Sequence, residues 1–214
     1  MAVHEQAREP DGRPLVGDVV RLDAVRHDDA EALFAVLRDE RVWASGYNGG
    51  PAARPTDVAA AQRIVDAGVG DLATGARVMY VVRLVADSDL GSAGTVVGTS
   101  SLGDVRLLDE RAHVGWTAYG PAWWGTAVNP ECKLLLLGHA FDDCGLGRVK
   151  IQTDLLNERS QAAIAKLGAT REGVLRRHRR RADGSFRDTV VFSVLADEWP
   201  AVREGLRTRL GRPA

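Results

Sequence analysis

Apolar positions along the chain mark short strands and amphipathic helices in an order unlike a repeated βαβ unit. Asp18–Val25 (DVVRLDAV) alternates as a first strand. Asp28-Asp29-Ala30-Glu31 opens a helix with Ala30, Leu33, Phe34 and Leu37 on one face. Trp43–Pro55 reads as a Gly/Pro loop, and Thr56 then caps a second helix striped by Val58, Ala61, Ile64 and Val65. Strands follow at Val78–Val85 and Thr95–Leu102, and after a turn near Leu107–Arg111 a third leads to Tyr119. Strands separated only by turns predict a meander. Glu131–Cys144 carries the strongest helical pattern: Leu134, Leu137, Phe141 and Cys144 share a face that Leu135, Leu136 and Ala140 widen. So broad a face predicts burial against a sheet. Arg148–Thr153 is a short strand, and Glu158–Leu167 a helix led by Asn157 and closed by Gly168. Glu172–His178 and Arg187–Leu195 form a hairpin around Ala182-Asp183-Gly184-Ser185, and a last helix begins near Trp199-Pro200. Together these predict a single α/β (α+β) domain over 18–214 behind a loose polar arm at 1–17.

Composition narrows the class. A chain of 214 residues, 45% hydrophobic and 27% charged, can bury one substantial core. A formal net charge of −1 gives no electrostatic case for nucleic acid or an anionic membrane. No apolar run reaches the roughly 18 residues of a membrane span, and MAVHEQAREPDGRP lacks an apolar signal core. Cys132 and Cys144 fall on one predicted helix, too far apart to pair, and two free thiols suit a reducing cytoplasm. The cysteines and histidines show no metal-ligand spacing. The run Arg176–Arg181 reads as the solvated edge of a hairpin.

The chemistry concentrates in Gly115–Cys132, GWTAYGPAWWGTAVNPEC. Its strand breaks at Gly120-Pro121, and the small residues Gly125-Thr126-Ala127 lead into Asn129-Pro130-Glu131. There Asn reads as the N-cap, Pro as the first helical residue and Glu as the first-turn acid. A strand, a tight loop and a helix N-terminus bring free N–H groups and the positive end of a dipole together, which suits an anion. An ordinary strand-to-helix connection has the same outline.

Two anchors resemble the Gcn5-related N-acetyltransferases, especially those of the RimJ/RimL-like type that acetylate ribosomal-protein N-termini. One is Trp124-Gly125-Thr126-Ala127-Val128-Asn129-Pro130-Glu131-Cys132, similar to the family's phosphate loop and long helix. The other is Asn157-Glu158-Arg159-Ser160 with Ile164 and Lys166-Leu167-Gly168-Ala169, similar to its Asn-x-x-Ser helix. The resemblance spans about 18–199. It implies a sheet splayed at the cofactor site with helices on both faces, and acetyl-CoA as donor. The backbone of Trp124, Gly125, Thr126, Ala127, Val128 and Asn129 would hold the pyrophosphate. The pantetheine arm would run along Thr117 and Tyr119, with Asn157 bonding it from the other side and Ser160 near the sulfur. The implied activity is transfer of an acetyl group to a primary amine, on a small molecule or a protein N-terminus, by a monomer or homodimer.

Departures from the family pattern bear on catalysis. Trp124, Ala127 and Asn129 replace residues usual in the loop, and Ile164 stands where many relatives place the tyrosine that protonates the thiolate. Ser160 inherits that acid role. The strand entering the loop carries His113 near a common acid position, with one extra residue between Gly115 and Pro121. His113 titrates in a useful range as a base; Glu110, Asp104 or solvent are alternatives. A catalytically silent acyl-CoA-binding module is the alternative to an enzyme.

Overall fold

The computed structural model describes residues 7–212. From the N-terminus come β1 (Leu15–Val16), β2 (Val20–Ala24), α1 (Ala30–Leu37), the short α2 (Glu40–Trp43) and α3 (Val58–Ala73). The meander β3 (Arg77–Leu84), β4 (Val96–Arg106) and β5 (Arg111–Tyr119) follows, then α4 (Val128–Gly138) and β6 (Arg148–Asp154). The chain ends with α5 (Glu158–Ala165), the hairpin β7 (Thr170–Arg180) and β8 (Phe186–Leu195), and α6 (Trp199–Arg209). The strands make one sheet in the order β1-β2-β3-β4-β5-β6-β8-β7. Every neighbouring pair is antiparallel except β5 with β6.

Both faces are covered, so β3 is apolar on both sides. Val78, Tyr80 and Val82 join the core beneath α4 and α6, whereas Met79 and Val81 join a second core with Leu33, Leu37 and Val65 from α1 and α3. The buried stripe of α4 is Val128, Cys132 and Leu136, with Leu137 beside it, and Ala140 extends it in the π-helical turn that follows, His139–Asp143. Leu134 and Leu135, expected in that face, are only partly buried, because the helix is set by Val128 and Cys132 one turn earlier. It starts at Val128 with Ala127 as N-cap, so Asn129 and Pro130 are its second and third residues. Pro is tolerated there because first-turn N–H groups have no helical acceptor. Asp57, not Thr56, caps α3, accepting from Ala60 N–H at 2.7 Å.

The loose arm expected over 1–17 joins the fold sooner. Ala7 is buried, the N–H of Arg8 donates to the Cys144 carbonyl, and Leu15–Val16 pair with β2; residues 1–6 lie outside the described part. Glu131, in the first turn of α4, ties this region down. Its carboxylate, 0% exposed, accepts from the N–H groups of Asp18 (3.0 Å), Val19 (2.6 Å) and Val20 (2.6 Å), and from Arg212 at the far side of the sequence. Gly17 leaves the necessary room: a Cβ there would collide with the Glu131 carboxylate.

The sheet parts in its middle. The parallel ladder joins only 111–113 of β5 to 148–150 of β6, although both strands continue. Against β4, Ser101 faces Gly115 and Thr99 faces Ala118, so three steps on β5 oppose two on β4. The surplus residue is a β-bulge, with Trp116 at φ +48°. A bulge bends its strand and strengthens its twist, turning the end of β5 from β6. The bulge falls within Gly115–Pro121, where the resemblance implies one extra residue.

Candidate active site

The gap between β5 and β6 is a cleft of about 260 Å³ that reaches from His113 to Gly125 and Asn129 and is flanked by α5. At one end lies the loop before α4. Gly125 adopts φ +76°, a left-handed conformation that glycine takes without penalty, and no atom lies within 4 Å of where its Cβ would stand. Thr126 braces the loop, its hydroxyl donating to the Trp123 carbonyl at 2.8 Å and accepting from Val128 N–H at 3.3 Å. Trp124 N–H donates to the Pro121 carbonyl. Four donors remain among the described residues: the N–H groups of Gly125, Thr126, Ala127 and Asn129 have no backbone acceptor. Such a nest at a helix N-terminus suits a pyrophosphate, so the backbone fits the expected cofactor. Arg159 of α5 lies 3.4 Å over the Trp124 ring and has no carboxylate partner among the described residues. That cation beside the cradle was not anticipated.

Thr117 and Tyr119 border the cleft. The Thr117 hydroxyl turns inward to Ser100 (2.7 Å) and the buried Lys133 ammonium (2.7 Å), and the Tyr119 phenol is buried beside Cys132. Opposite them, the Asn157 side-chain Oδ1 caps α5 by accepting from Ser160 N–H at 3.0 Å. That leaves its amide NH₂ available to the cleft. Ser160 lines the cleft one turn before Ile164, which is 8% exposed and offers only hydrocarbon. Val128 does not add to the cradle as expected, because its N–H is taken by the Thr126 hydroxyl and its side chain is fully buried.

A second, larger cavity of about 990 Å³ opens on the face of α3. Tyr47, Asn48, His113, Trp116 and Arg179 line both spaces and so form their junction. His113 is 4% exposed, packs against Trp116 at 4.5 Å between ring centroids, and leaves Nε2 buried without a partner. Burial, followed by the charge of Lys150, holds its pKa at about 3. The expectation that His113 titrates in the useful range is therefore corrected: it is a neutral imidazole at physiological pH. Asp104 lines the larger cavity but is paired to Lys150 at 2.8 Å, which lowers its pKa. Glu110 borders neither space. Tyr47 donates to the Trp116 carbonyl at 3.2 Å, and burial raises its phenol to about 12. The arginine run is not uniformly solvated either. Arg181 reaches Asp154, 2% exposed, at 2.7 Å, and Ala182 N–H bonds the Gly49 carbonyl, so the hairpin end roofs the junction.

A parted parallel pair that ends in an N–H cradle defines an acyl-CoA-binding transferase fold. The family model described as "Acetyltransferase (GNAT) domain" matches residues 20–170, and the chain belongs to that family, whose donor is acetyl-CoA. Over 106 residues it is 27% identical to the "Putative ribosomal N-acetyltransferase YdaF" of Bacillus subtilis (strain 168). That stretch is 50% of this chain and 57% of YdaF, so the chain matches little more than half of that curated relative. A putative acetyltransferase from T. thermophilus is 34% identical, with a TM-score of 0.77 over 92% of this chain and 97% of that one. Mycobacterium smegmatis RimJ, solved in complex with CoA-disulfide, shares the fold at 22% identity, with a TM-score of 0.75 over 96% and 98% of the two chains. The Gcn5-related acetyltransferase family expected from the two anchors is met. No described helix is long and apolar enough to cross a membrane.

Proposed function

We propose that the protein acetylates a primary amine in a ternary complex, the cofactor lying in the parted sheet and the amine entering from the larger cavity. The observation that carries this reading is the junction, where one short wall belongs to both spaces. Acetyl-CoA supplies an activated thioester whose carbonyl carbon takes the amine nitrogen while the carbon–sulfur bond breaks. The N–H groups of Gly125, Thr126, Ala127 and Asn129 would hold the anionic end, and the free NH₂ of Asn157 would fix the arm. Overall, one proton passes from the amine to the departing sulfur. Ser160 is the hydroxyl disposed along the cleft to donate it. His113, neutral at working pH, orients the amine by accepting an N–H bond at Nε2 and leaves its proton to solvent.

The burial of Ile164 in the cleft favours the alternative, a silent acyl-CoA-binding module, because the usual phenolic acid is missing. Calorimetric titration with acetyl-CoA and CoA, run beside a thiol-release assay over an amine panel, separates the two. Transfer predicts binding and acceptor-dependent thiol release. Binding without release on any amine would establish the module, and absence of binding would sink both.

A further inference from the structure

The larger cavity is cationic in a way that amine binding alone does not explain. Arg54, Arg63, Arg77 and Arg179 line it, against Asp71 and Asp104. Both carboxylates are engaged, Asp71 by Arg77 at 2.6 Å and Asp104 by Lys150 at 2.8 Å. Among the described residues, Arg63 and Arg179 have no ion pair. At the junction the surplus is sharper. Arg187 of β8 stands directly across from Arg179 of β7 and lines the cofactor cleft. Its Nε is buried and has no hydrogen-bond partner, and burial lowers its pKa from the usual guanidinium value. Asp154 acts on it only at longer range, because its carboxylate is already bonded to Arg181.

A desolvated guanidinium with an unused donor is costly, and a carboxylate is the partner that matches its fork. A positively charged wall would also repel an ammonium unless the same molecule brought negative charge. The wall of the larger cavity agrees: Ser101 Oγ and His113 Nε2, which line it together with Arg179, also lack partners.

We infer that the acceptor is an amine bearing a carboxylate close to its nitrogen, received by Arg179 and Arg187 where the two cavities meet. The inference rests on the transfer reading above. Two sources share this chemistry: a free α-amino acid, whose own carboxylate is adjacent, and a peptide with an acidic side chain at or next to its N-terminus.

The test compares isosteric pairs in the thiol-release assay: α-amino acids against their α-amides, and short peptides beginning with Asp or Glu against Asn or Gln. Carboxylates should exceed their amides by at least about tenfold in kcat/KM, the discrimination expected when a buried polar group is left unpaired. Preference in the first pair identifies amino acids, and in the second acidic peptides. Arg179→Gln and Arg187→Gln should each move that ratio toward one. Arg179 is exposed, so its variant keeps the fold even if the Arg187 change does not. Calorimetry on the complex with free CoA should show the same preference without turnover. Equal rates within every pair, or a preference that neither variant alters, would overturn the inference and leave acetyl transfer standing. No release on any amine despite acetyl-CoA binding would remove the transfer reading and this inference with it.

Discussion

At the scale of single residues, burial decides chemistry more than residue type does. His113 has the side chain of a general base, yet its surroundings hold its pKa at about 3 against an ordinary 6.5. The folded protein therefore binds one proton fewer than the unfolded chain between those values. Its contribution is complete above pH 6.5 and is lost as pH falls toward about 3; at ~1.4 kcal/mol per unit this is on the order of 5 kcal/mol. Denaturation curves from pH 7 to 3.5 should show His113→Gln losing less stability than the parent, and equal slopes would refute a buried neutral imidazole. The rate profile should carry no His113 ionisation above about pH 4. Ser160 is tested by separating steps. Ser160→Ala should lower kcat by about 100-fold while acetyl-CoA Kd changes less than about twofold, and equal losses in both would assign it to binding.

Among the elements, two glycines do different work. Gly125 needs its dihedral but no space, since nothing approaches its Cβ position. Gly125→Asp should thus cost about 1–2 kcal/mol of strain and still fold. The new carboxylate among four N–H donors should weaken acetyl-CoA binding by tenfold or more in calorimetry. Gly98 in β4 is the reverse case. A Cβ there would collide with the Ala118 carbonyl across the ladder, so Gly98→Ala should cost about 1–3 kcal/mol, read as a lower Tm. These elements explain what was legible beforehand. The meander, the cradle loop and the Asn157 helix are local patterns with local punctuation, and they can be read within a few residues. The pairing of Arg179 with Arg187 follows from hairpin register, and their place at the cavity wall from strands distant in sequence. Neither is encoded in any short window. The α4 face is misleading in sequence because a run of four leucines looks apolar all round, while Val128 and Cys132 set the rotation.

For the whole molecule, the decisive event is the parting of one strand pair in an otherwise continuous sheet. A bulge at Trp116 opens it, and the β7–β8 hairpin roofs it through Arg181–Asp154 and Ala182–Gly49. Glu131 adds a property that belongs to the chain as a whole. Because it sits in the first turn of α4, one carboxylate joins the segment at Asp18–Val20, the residue Arg212 and the helix that begins at the phosphate cradle. Occupancy of the cradle and docking of these two distant segments should then be reciprocally linked. Saturating acetyl-CoA should slow amide hydrogen exchange at Asp18, Val19 and Val20, none of which lines the cleft. Truncation after Gly211 should in turn weaken acetyl-CoA affinity by several-fold. A residue far from the cleft in sequence would thereby act as a tuning weight on how long the cofactor stays.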